Sequence, residues 1–224
     1  MTRPSDERAF TELPSLPGTF YARATTRVAR ALLGKILVHE SPAGLTAGRI
    51  VEVEAYCGPK DRAAHSVGGR RTPRNEVMWG PAGRLYVYFT YGMHHCGNVV
   101  TRRSECPEAV LLRALEPLAG IDLMRQRRGR PMSVTALARG PGNLCLAMGI
   151  DRTMNGADLT VGPVRILESP SVPASRVGMS PRIGVAYAGA DAFLPWRFFV
   201  RDSEAVSGKR PRRALRHAGI VTRA

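Results

Sequence analysis

The chain has 224 residues, 44% of them hydrophobic, which suits one compact domain with a buried core and does not require two. A net charge of +15 and a pI near 10.9 favour a polyanionic partner such as nucleic acid; the alternative is an arginine-rich composition set by a GC-rich genome. No apolar run approaches the roughly 18 residues of a membrane span, and the first residues lack the apolar core of a signal peptide, so we expect no membrane contact.

Cysteine usage points to a reducing compartment. The four cysteines, at positions 57, 96, 106 and 145, show no C-x-x-C spacing and fit reduced thiols better than zinc ligands or disulfides. We therefore expect a cytoplasmic protein, and its basic charge favours association with the nucleoid.

The first fifth of the chain predicts structural elements and contains no candidate site residue. Residues 1–18 are rich in Pro, Ser and charge and are expected to form a loose lead-in. Residues 25–34 predict a short helix with an apolar stripe, a Thr at its start and a Gly at its end. A short strand over residues 35–39 and a turn over residues 41–44 follow.

Residues 49–56, with the sequence RIVEVEAY, predict a strand because apolar and polar side chains alternate with a period of two. Glu54 and Tyr56 share one face at the end of this strand. His65, nine residues after Tyr56, can fold back over both. This grouping suggests a reactive site; the alternative is a half-exposed strand with solvated glutamates.

The loop over residues 61–75 is too long and too rich in arginine to serve only as a connection. Loops of this kind often contact phosphates. Residues 85–100 then predict a β-hairpin with Tyr91 and Met93 near its tip. An exposed aromatic ring at a hairpin tip suits a wedge between base pairs, although Tyr91 fits a core ring equally well on the sequence alone.

Two further patterns carry possible chemistry. His94, His95 and Cys96 suggest metal binding, but adjacent strand residues point to opposite faces, so we expect no metal site. Arg113 lies in an apolar strand over residues 109–114 and therefore needs a carboxylate partner, for which Glu54 is one candidate.

The second half of the chain predicts two helices, three strands and a basic end. Residues 117–128 predict a helix, and the Gly-rich turn at residues 139–148 predicts a second helix whose first N–H groups, with Arg139, suit a phosphate. The predicted strands and tail are Val164–Leu167, residues 183–186, Arg197–Val200 and the basic stretch 201–224.

The ordered blocks VEVEAY, AAHS, TPRN, LYVY, YGM and LLRALEPL closely resemble the alkyladenine (3-methyladenine) DNA glycosylase family, of the methylpurine-DNA glycosylase type, from about residue 20 to residue 202. The resemblance implies an α/β (α+β) fold: one domain with a curved, mostly antiparallel sheet, flanking helices and a protruding β-hairpin. The implied divisions are a lead-in over 1–18, the glycosylase-like domain over 19–203 and a basic tail over 204–224. The family uses no metal or organic cofactor.

The resemblance also implies catalytic and base-binding roles for particular residues. Glu54 matches the general base that deprotonates the attacking water, and Arg113 matches the arginine that helps to hold that water. The residues matched to binding of the extruded base are Tyr56, His65 and Tyr88, which sandwich it, and Asn98, which obstructs the amino group of guanine.

A second set of residues matches the DNA contacts of the family. Tyr91 corresponds to the wedge that fills the gap left by the flipped nucleotide. The full set assigned to DNA binding is Tyr91, Met93, Arg70, Thr72, Arg74, Arg139 and Gly140. His94 and His95 depart from the family, in which aromatic residues are common at these hairpin positions.

The resemblance implies excision of damaged purines from double-stranded DNA, with 3-methyladenine, 7-methylguanine, hypoxanthine and ethenoadenine as possible substrates. No Lys stands at a catalytic position in the matched blocks, which predicts a monofunctional hydrolase without β-lyase activity. A monomer is expected of an enzyme that flips and binds one lesion. Two alternatives remain: a non-catalytic nucleic-acid-binding domain, and a metal-dependent nuclease built on Glu52, Glu54, Asp61 and His65.

Overall fold

The longest described strand runs from Gly44 to Tyr56 and lies at the centre of an antiparallel sheet. The protein is described by a computed structural model that covers residue 10 and residues 12–90 and 92–208. Tyr91 and the tail from residue 209 therefore lie outside the described residues. The strands are β1 (Ile36–Ser41), β2 (Gly44–Tyr56), β3 (Leu85–Thr90), β4 (His94–Thr101), β5 (Glu108–Ala119), β6 (Val164–Leu167), β7 (Val177–Ser180) and β8 (Arg197–Val200).

Helices cover the sheet, and short 3-10 turns connect the elements. The α-helices are α1 (Gly18–Tyr21), α2 (Thr25–Leu32), α3 (Ile121–Arg128) and α4 (Pro141–Met148). The 3-10 turns are Gly58–Lys60, Val67–Gly69, Glu76–Trp79, Val134–Ala136, Arg152–Met154, Ala174–Arg176 and Ala186–Phe193. The predicted α/β class, with a mostly antiparallel sheet and flanking helices, is confirmed. No helix among the described residues is long and apolar enough to cross a membrane.

Strand β2 is paired along both of its edges, and this pairing buries its acidic residues. The sheet order is β3-β4-β5-β2-β1-β6, and β8 pairs with β2 at Glu52–Glu54, beyond the end of β1. Side chains on both faces of β2 are covered, so Glu52 and Glu54 are 0% exposed. The alternative of a half-exposed strand with solvated glutamates is therefore wrong.

The predicted hairpin is formed by β3 and β4. Their register runs from Leu85 opposite Val99 to Thr90 opposite His94, which leaves a three-residue tip. Gly92 in the tip has φ +67°, a left-handed conformation that glycine adopts without strain. Met93 beside it is 70% exposed, as a tip that contacts a partner requires.

Two of the predicted elements differ from the structure. The helix expected over 117–128 begins only at Ile121, because residues 117–119 continue β5 and Gly120 turns the chain with φ +68°. The strand expected over 183–186 is absent from the described fold; β7 precedes that position, and Gly184 has φ +79°, which interrupts an extended backbone.

The tail begins later than the predicted position 204. Ala205 and Val206 are 0% and 1% exposed and belong to the main core, and Ser207 is also buried. The folded domain therefore extends at least to Ser207, because these small side chains pack beneath β2 and β8 instead of entering the solvent.

Gly120 should be far less tolerant of a side chain than Gly129, although both have a left-handed backbone at the ends of α3. A Cβ at Gly120 would lie 2.2 Å from the Leu45 carbonyl oxygen, whereas nothing lies within 4 Å of one at Gly129. We expect Gly120→Ala to lower the free energy of unfolding by about 3 kcal/mol or more, from strain plus overlap. Gly129→Ala should lower it by only about 1 kcal/mol. Urea denaturation measures both values, and equal losses would contradict the assignment.

Candidate active site

Both carboxylate oxygens of Glu54 are held by protein donors. The Tyr56 hydroxyl donates to Oε2 over 2.9 Å, and Arg113 Nη1 donates to the same oxygen over 3.2 Å. The backbone N–H of Ile183 donates to Oε1 over 2.7 Å. The carboxylate is thus fixed from three directions at the end of β2.

A β-bulge positions Arg113. The pairing of β2 with β5 shifts register on both sides of Glu52, from Ile50 opposite Leu115 to Val53 opposite Leu112, and Arg113 has no directly paired residue. Bulges of this kind re-aim a side chain and are common beside active sites. The guanidinium of Arg113 bridges the strand's two carboxylates: its Nε donates to Glu52 over 2.9 Å, while its Nη1 donates to Glu54.

Burial and the neighbouring charges act in opposite directions on Glu54. Burial raises the pKa of its carboxyl, and the Arg113 guanidinium, the Ile183 N–H and the Tyr56 hydroxyl partly oppose this rise. The net effect is a pKa above the usual range of a glutamate. Burial and the adjacent Glu54 charge also raise the pKa of Tyr56, so its hydroxyl remains a donor.

All four residues predicted to bind the base line one cavity. Tyr56, His65, Tyr88 and Asn98 surround it, and the remaining lining residues are Ala63, Met78, Tyr86, Ala109 and Tyr187. The sheet explains part of this grouping, because Asn98 on β4 and Glu54 on β2 both pair with Leu111 on β5 and therefore share a face.

The aromatic residues do not form three independent walls. His65 and Tyr88 contact each other edge to face, with ring centroids 4.6 Å apart, so no base fits between them. They form one wall together, and Nδ1 of His65 is hydrogen-bonded to the Tyr86 hydroxyl at 2.9 Å. Burial and the nearby Arg74 and Arg70 lower the pKa of His65 to about 4, which leaves the imidazole neutral near pH 7.

Asn98 is buried and fixed. Its Nδ2 donates to the Tyr86 carbonyl oxygen over 3.1 Å and approaches the Cys96 carbonyl oxygen at 3.5 Å. The amide therefore occupies a defined position in the cavity wall, where it limits the shape of a ligand.

The loop over residues 61–75 is held at both ends by buried polar residues. At its start, Asp61 accepts two short contacts from Arg182, 2.6 and 2.8 Å long, and this pair is buried. At its end, Asn75 donates to the carbonyl oxygens of His65 and Arg70 and accepts from the Thr72 N–H. Asn75 therefore sets the backbone at two of the predicted site residues.

The predicted DNA-contact residues Arg70, Thr72 and Arg74 border a second cavity beside the first. The two cavities share Ala63, His65 and Tyr187. Arg74 also links the loop to the hairpin, because its Nη2 donates to the Phe89 carbonyl oxygen over 3.2 Å. Its guanidinium lies 5.2 Å from the Tyr88 ring centroid. The loop thus presents cationic groups at the mouth of the aromatic cavity.

The remaining predicted DNA contacts lie on other elements. Arg139 and Gly140 precede α4, and Arg139 Nε donates to the Val206 carbonyl oxygen over 3.0 Å. Met93 is exposed at the hairpin tip. Tyr91 lies outside the described residues, so its wedge role stays a prediction.

The side chains suggested as metal ligands of a nuclease have other partners or positions in the structure. Glu52 binds Arg113 and Arg197, Asp61 binds Arg182, and His65 forms a cavity wall. Within residues 12–90 and 92–208, no group of three His, Cys, Asp or Glu side chains is arranged to hold a metal ion.

Sequence reasoning missed four contributors to the site. Ile183 acts through its backbone, which leaves no trace in side-chain patterns, and Tyr187 joins the cavity from a region without a motif. Arg197 could have been suspected, as a charged residue within a predicted apolar strand. The only sign of a role for Asn75 was its place as the last residue of the TPRN block, one of the blocks that resemble the family.

The comparisons with known proteins concern the family of the chain. The family model described as Methylpurine-DNA glycosylase (MPG) matches residues 19–204. A Methanocella arvoryzae protein named "Putative 3-methyladenine DNA glycosylase" is 48% identical over 200 residues, covering 89% of this chain and 98% of the relative. Proteins of the same name from Desulfitobacterium hafniense and Clostridium acetobutylicum are 47% and 44% identical; they cover 85% and 84% of this chain and 97% and 95% of the relatives. The predicted resemblance is confirmed.

His65 should titrate near pH 4 in an NMR experiment that follows its imidazole. Arg74→Gln removes a positive neighbour and should raise this pKa, whereas Arg71→Gln should not, because Arg71 binds Glu76 and Glu105 instead. Since the folded pKa lies below that of an unfolded histidine, about 6.5, the neutral ring contributes stability above that pH, and this stability is lost as the pH falls toward 4. A midpoint near 6.5 in the folded protein would mean that the ring is solvated and not part of the cavity wall.

Proposed function

Since the chain belongs to the methylpurine-DNA glycosylase family and is a DNA-repair hydrolase of N-glycosyl bonds, we propose that it excises damaged purines from double-stranded DNA. The damaged nucleotide is turned out of the duplex into the aromatic cavity, and Glu54 activates the water that cleaves its N-glycosidic bond. The product is an abasic site.

The observation that carries this proposal is the position of Glu54. Its carboxylate lies directly behind the hydroxyl of Tyr56, and the ring of Tyr56 lines the cavity. A base held against that ring would therefore place its glycosidic bond close to the carboxylate. A buried, oriented carboxylate next to a pocket of flat rings suits base excision better than simple DNA binding.

Base binding follows from the two aromatic walls. His65 and Tyr88 form one wall, which leaves Tyr56 for the opposite face of the base. Extruding a nucleotide costs about a few kcal/mol and less for a damaged pair, so the enzyme favours lesions already at this step. We assign to Tyr91 at the hairpin tip the stacking that offsets the remaining cost.

Selection within the cavity is assigned to Asn98. Because its amide is fixed by the Tyr86 carbonyl oxygen, a guanine amino group at that wall would meet an unyielding neighbour. Hypoxanthine and ethenoadenine lack that amino group. Cationic lesions such as 3-methyladenine gain about 1–2 kcal/mol between electron-rich rings. 7-Methylguanine retains the amino group, so its cleavage relies on its weakened glycosidic bond and not on its fit to the cavity.

The chemistry requires Glu54 in its ionised form. A carboxylate has about four lone-pair positions, and three are taken by Ile183, Tyr56 and Arg113, so one remains for the attacking water. The raised pKa of Glu54 makes it a stronger base, and its negative charge stabilises the oxocarbenium-like transition state. None of the described residues that line the cavity is a lysine, which supports a monofunctional reaction without an imine intermediate.

DNA contact is assigned to three separate elements around the cavity. The arginine-rich loop, the hairpin tip with Met93, and the turn at Arg139 and Gly140 each present cationic, exposed or N–H-bearing groups. A net charge of +15 supports attraction to the phosphate backbone. We propose that the protein acts as a monomer at the nucleoid, one lesion at a time.

Glu54→Gln should abolish excision while retaining binding to damaged DNA. We expect the excision rate on a duplex with one hypoxanthine to fall by at least about 10²- to 10⁴-fold, the contribution of a general base. The assay measures abasic sites in single turnover, with and without a chelator. Glu76→Gln, which alters an exposed carboxylate, is the matched control and should remain active.

Other outcomes distinguish the alternatives. Strand breaks that disappear with chelator would replace the glycosylase with a metal-dependent nuclease. Damage-dependent binding by both proteins without abasic sites, on hypoxanthine and on methylated DNA alike, would indicate a binding module.

A further inference from the structure

A short segment after β8, residues 203–207, closes the site from beneath, and we call it the closing segment. The closing segment is hydrogen-bonded to the buried carboxylate of Glu52 on β2. Most of the segment lies beyond residues 19–204, the range that the family model matches. Ala205 and Val206 anchor it in the main core.

Ser207 makes four hydrogen bonds inside this charged cluster. Its backbone N–H donates to Glu52 Oε2 over 2.6 Å, and its hydroxyl lies 3.0 Å from Glu52 Oε1. Arg113 Nη2 donates to the same hydroxyl over 3.2 Å, and Arg197 Nη2 donates to the Ser207 carbonyl oxygen over 2.7 Å. One serine thus contacts three of the buried charged residues.

The hydroxyl completes the fixation of Arg113. Each of the three guanidinium nitrogens of Arg113 has one partner: Nε has Glu52, Nη1 has Glu54 and Nη2 has Ser207. A planar guanidinium held at all three nitrogens cannot rotate in its plane. Without the third contact, it can turn about Nε and move Nη1 away from Glu54.

We propose that Ser207 is a positioning residue, which holds Arg113 in the orientation that keeps Glu54 competent as a base. This inference rests on the proposed glycosylase function. It also links the site to a predicted DNA contact, because Arg139, before α4, donates to the carbonyl oxygen of the neighbouring Val206.

A purely structural role for Ser207 predicts a different behaviour. Loss of a structural contact lowers the free energy of unfolding but leaves the catalytic pH dependence of the folded protein unchanged. The interaction with Arg113 lowers the pKa of Glu54, and loss of a positioning contact weakens this interaction. Since Glu54 acts when ionised and its pKa would then rise, the acid limb of the rate profile must move to higher pH.

The experiment compares Ser207→Ala, Ser207→Thr and wild type on a hypoxanthine duplex in single turnover, as a function of pH. We expect Ser207→Ala to lower the excision rate about ten- to a hundredfold, the range of one hydrogen bond to a charged group. Its acid limb should shift to higher pH, with an unchanged half-saturating protein concentration. Ser207→Thr keeps the hydroxyl and should restore both the rate and the limb.

Ser203→Ala is the matched control, because it removes a buried hydroxyl of the same segment, one that accepts from the Ala205 N–H. It should keep the wild-type rate and pH profile. If Ser207→Ala is unfolded at the assay temperature, Ser207→Cys, similar in size but a weak hydrogen-bonding partner, takes its place.

Two results would overturn the positioning role: a wild-type rate and acid limb in folded Ser207→Ala, or an equal loss in Ser207→Thr and Ser207→Ala. Failure of the proposed function itself looks different. In that case wild type forms no abasic sites on any damaged duplex, and the proposal for Ser207 falls with it.

Discussion

The arrangement of the site depends on placing two carboxylates and two guanidinium groups in the centre of a sheet. Glu52 and Glu54 are fully buried on β2, and Arg113 and Arg197 are nearly so. Isolated charges in such a place would be strongly unfavourable, so each must be paired and hydrogen-bonded. The double pairing of β2, the bulge at Arg113 and the closing segment are three solutions to this one requirement. In the proposed mechanism, Glu54 is the member of this cluster that activates the water.

The balance at Glu54 explains how a stabilising network can serve a reaction. Complete compensation by arginines would lower the pKa of the carboxyl and produce a weak base. Here burial outweighs the cationic neighbours, so the carboxyl has a raised pKa while Arg113 and Tyr56 still fix its orientation. Glu52 carries more of the pairing, since it accepts from Arg113, Arg197 and Ser207. In the proposed mechanism, the two glutamates therefore divide the structural and the chemical tasks.

The sequence was sufficient where local pattern decides the structure. The hairpin of β3 and β4, the strand that carries Glu54, and the helix after Gly140 follow from periodicity and turn residues. The grouping of Tyr56, His65, Tyr88 and Asn98 came from the family resemblance and not from spacing. Contacts made by the backbone, such as that of Ile183, or between distant segments cannot be read from local pattern, because register and bulges decide which side chains meet. The early start assigned to the tail has a related cause: Ala205 and Val206 are buried although they belong to no helix or strand, so no periodic pattern marks them as core residues.

The contact between Glu52 and Ser207 also determines when the site can form during synthesis. The two residues are 155 positions apart, so Glu52 leaves the ribosome long before its partner. Until then the central strand carries a carboxylate without its last donors, and the guanidinium of Arg113 has a free nitrogen. Contacts between such distant positions form late in folding. In the proposed mechanism, a nascent chain therefore forms its cationic loop before the cluster around Glu54 is complete, and competence for excision follows only after Ser207 has been synthesised.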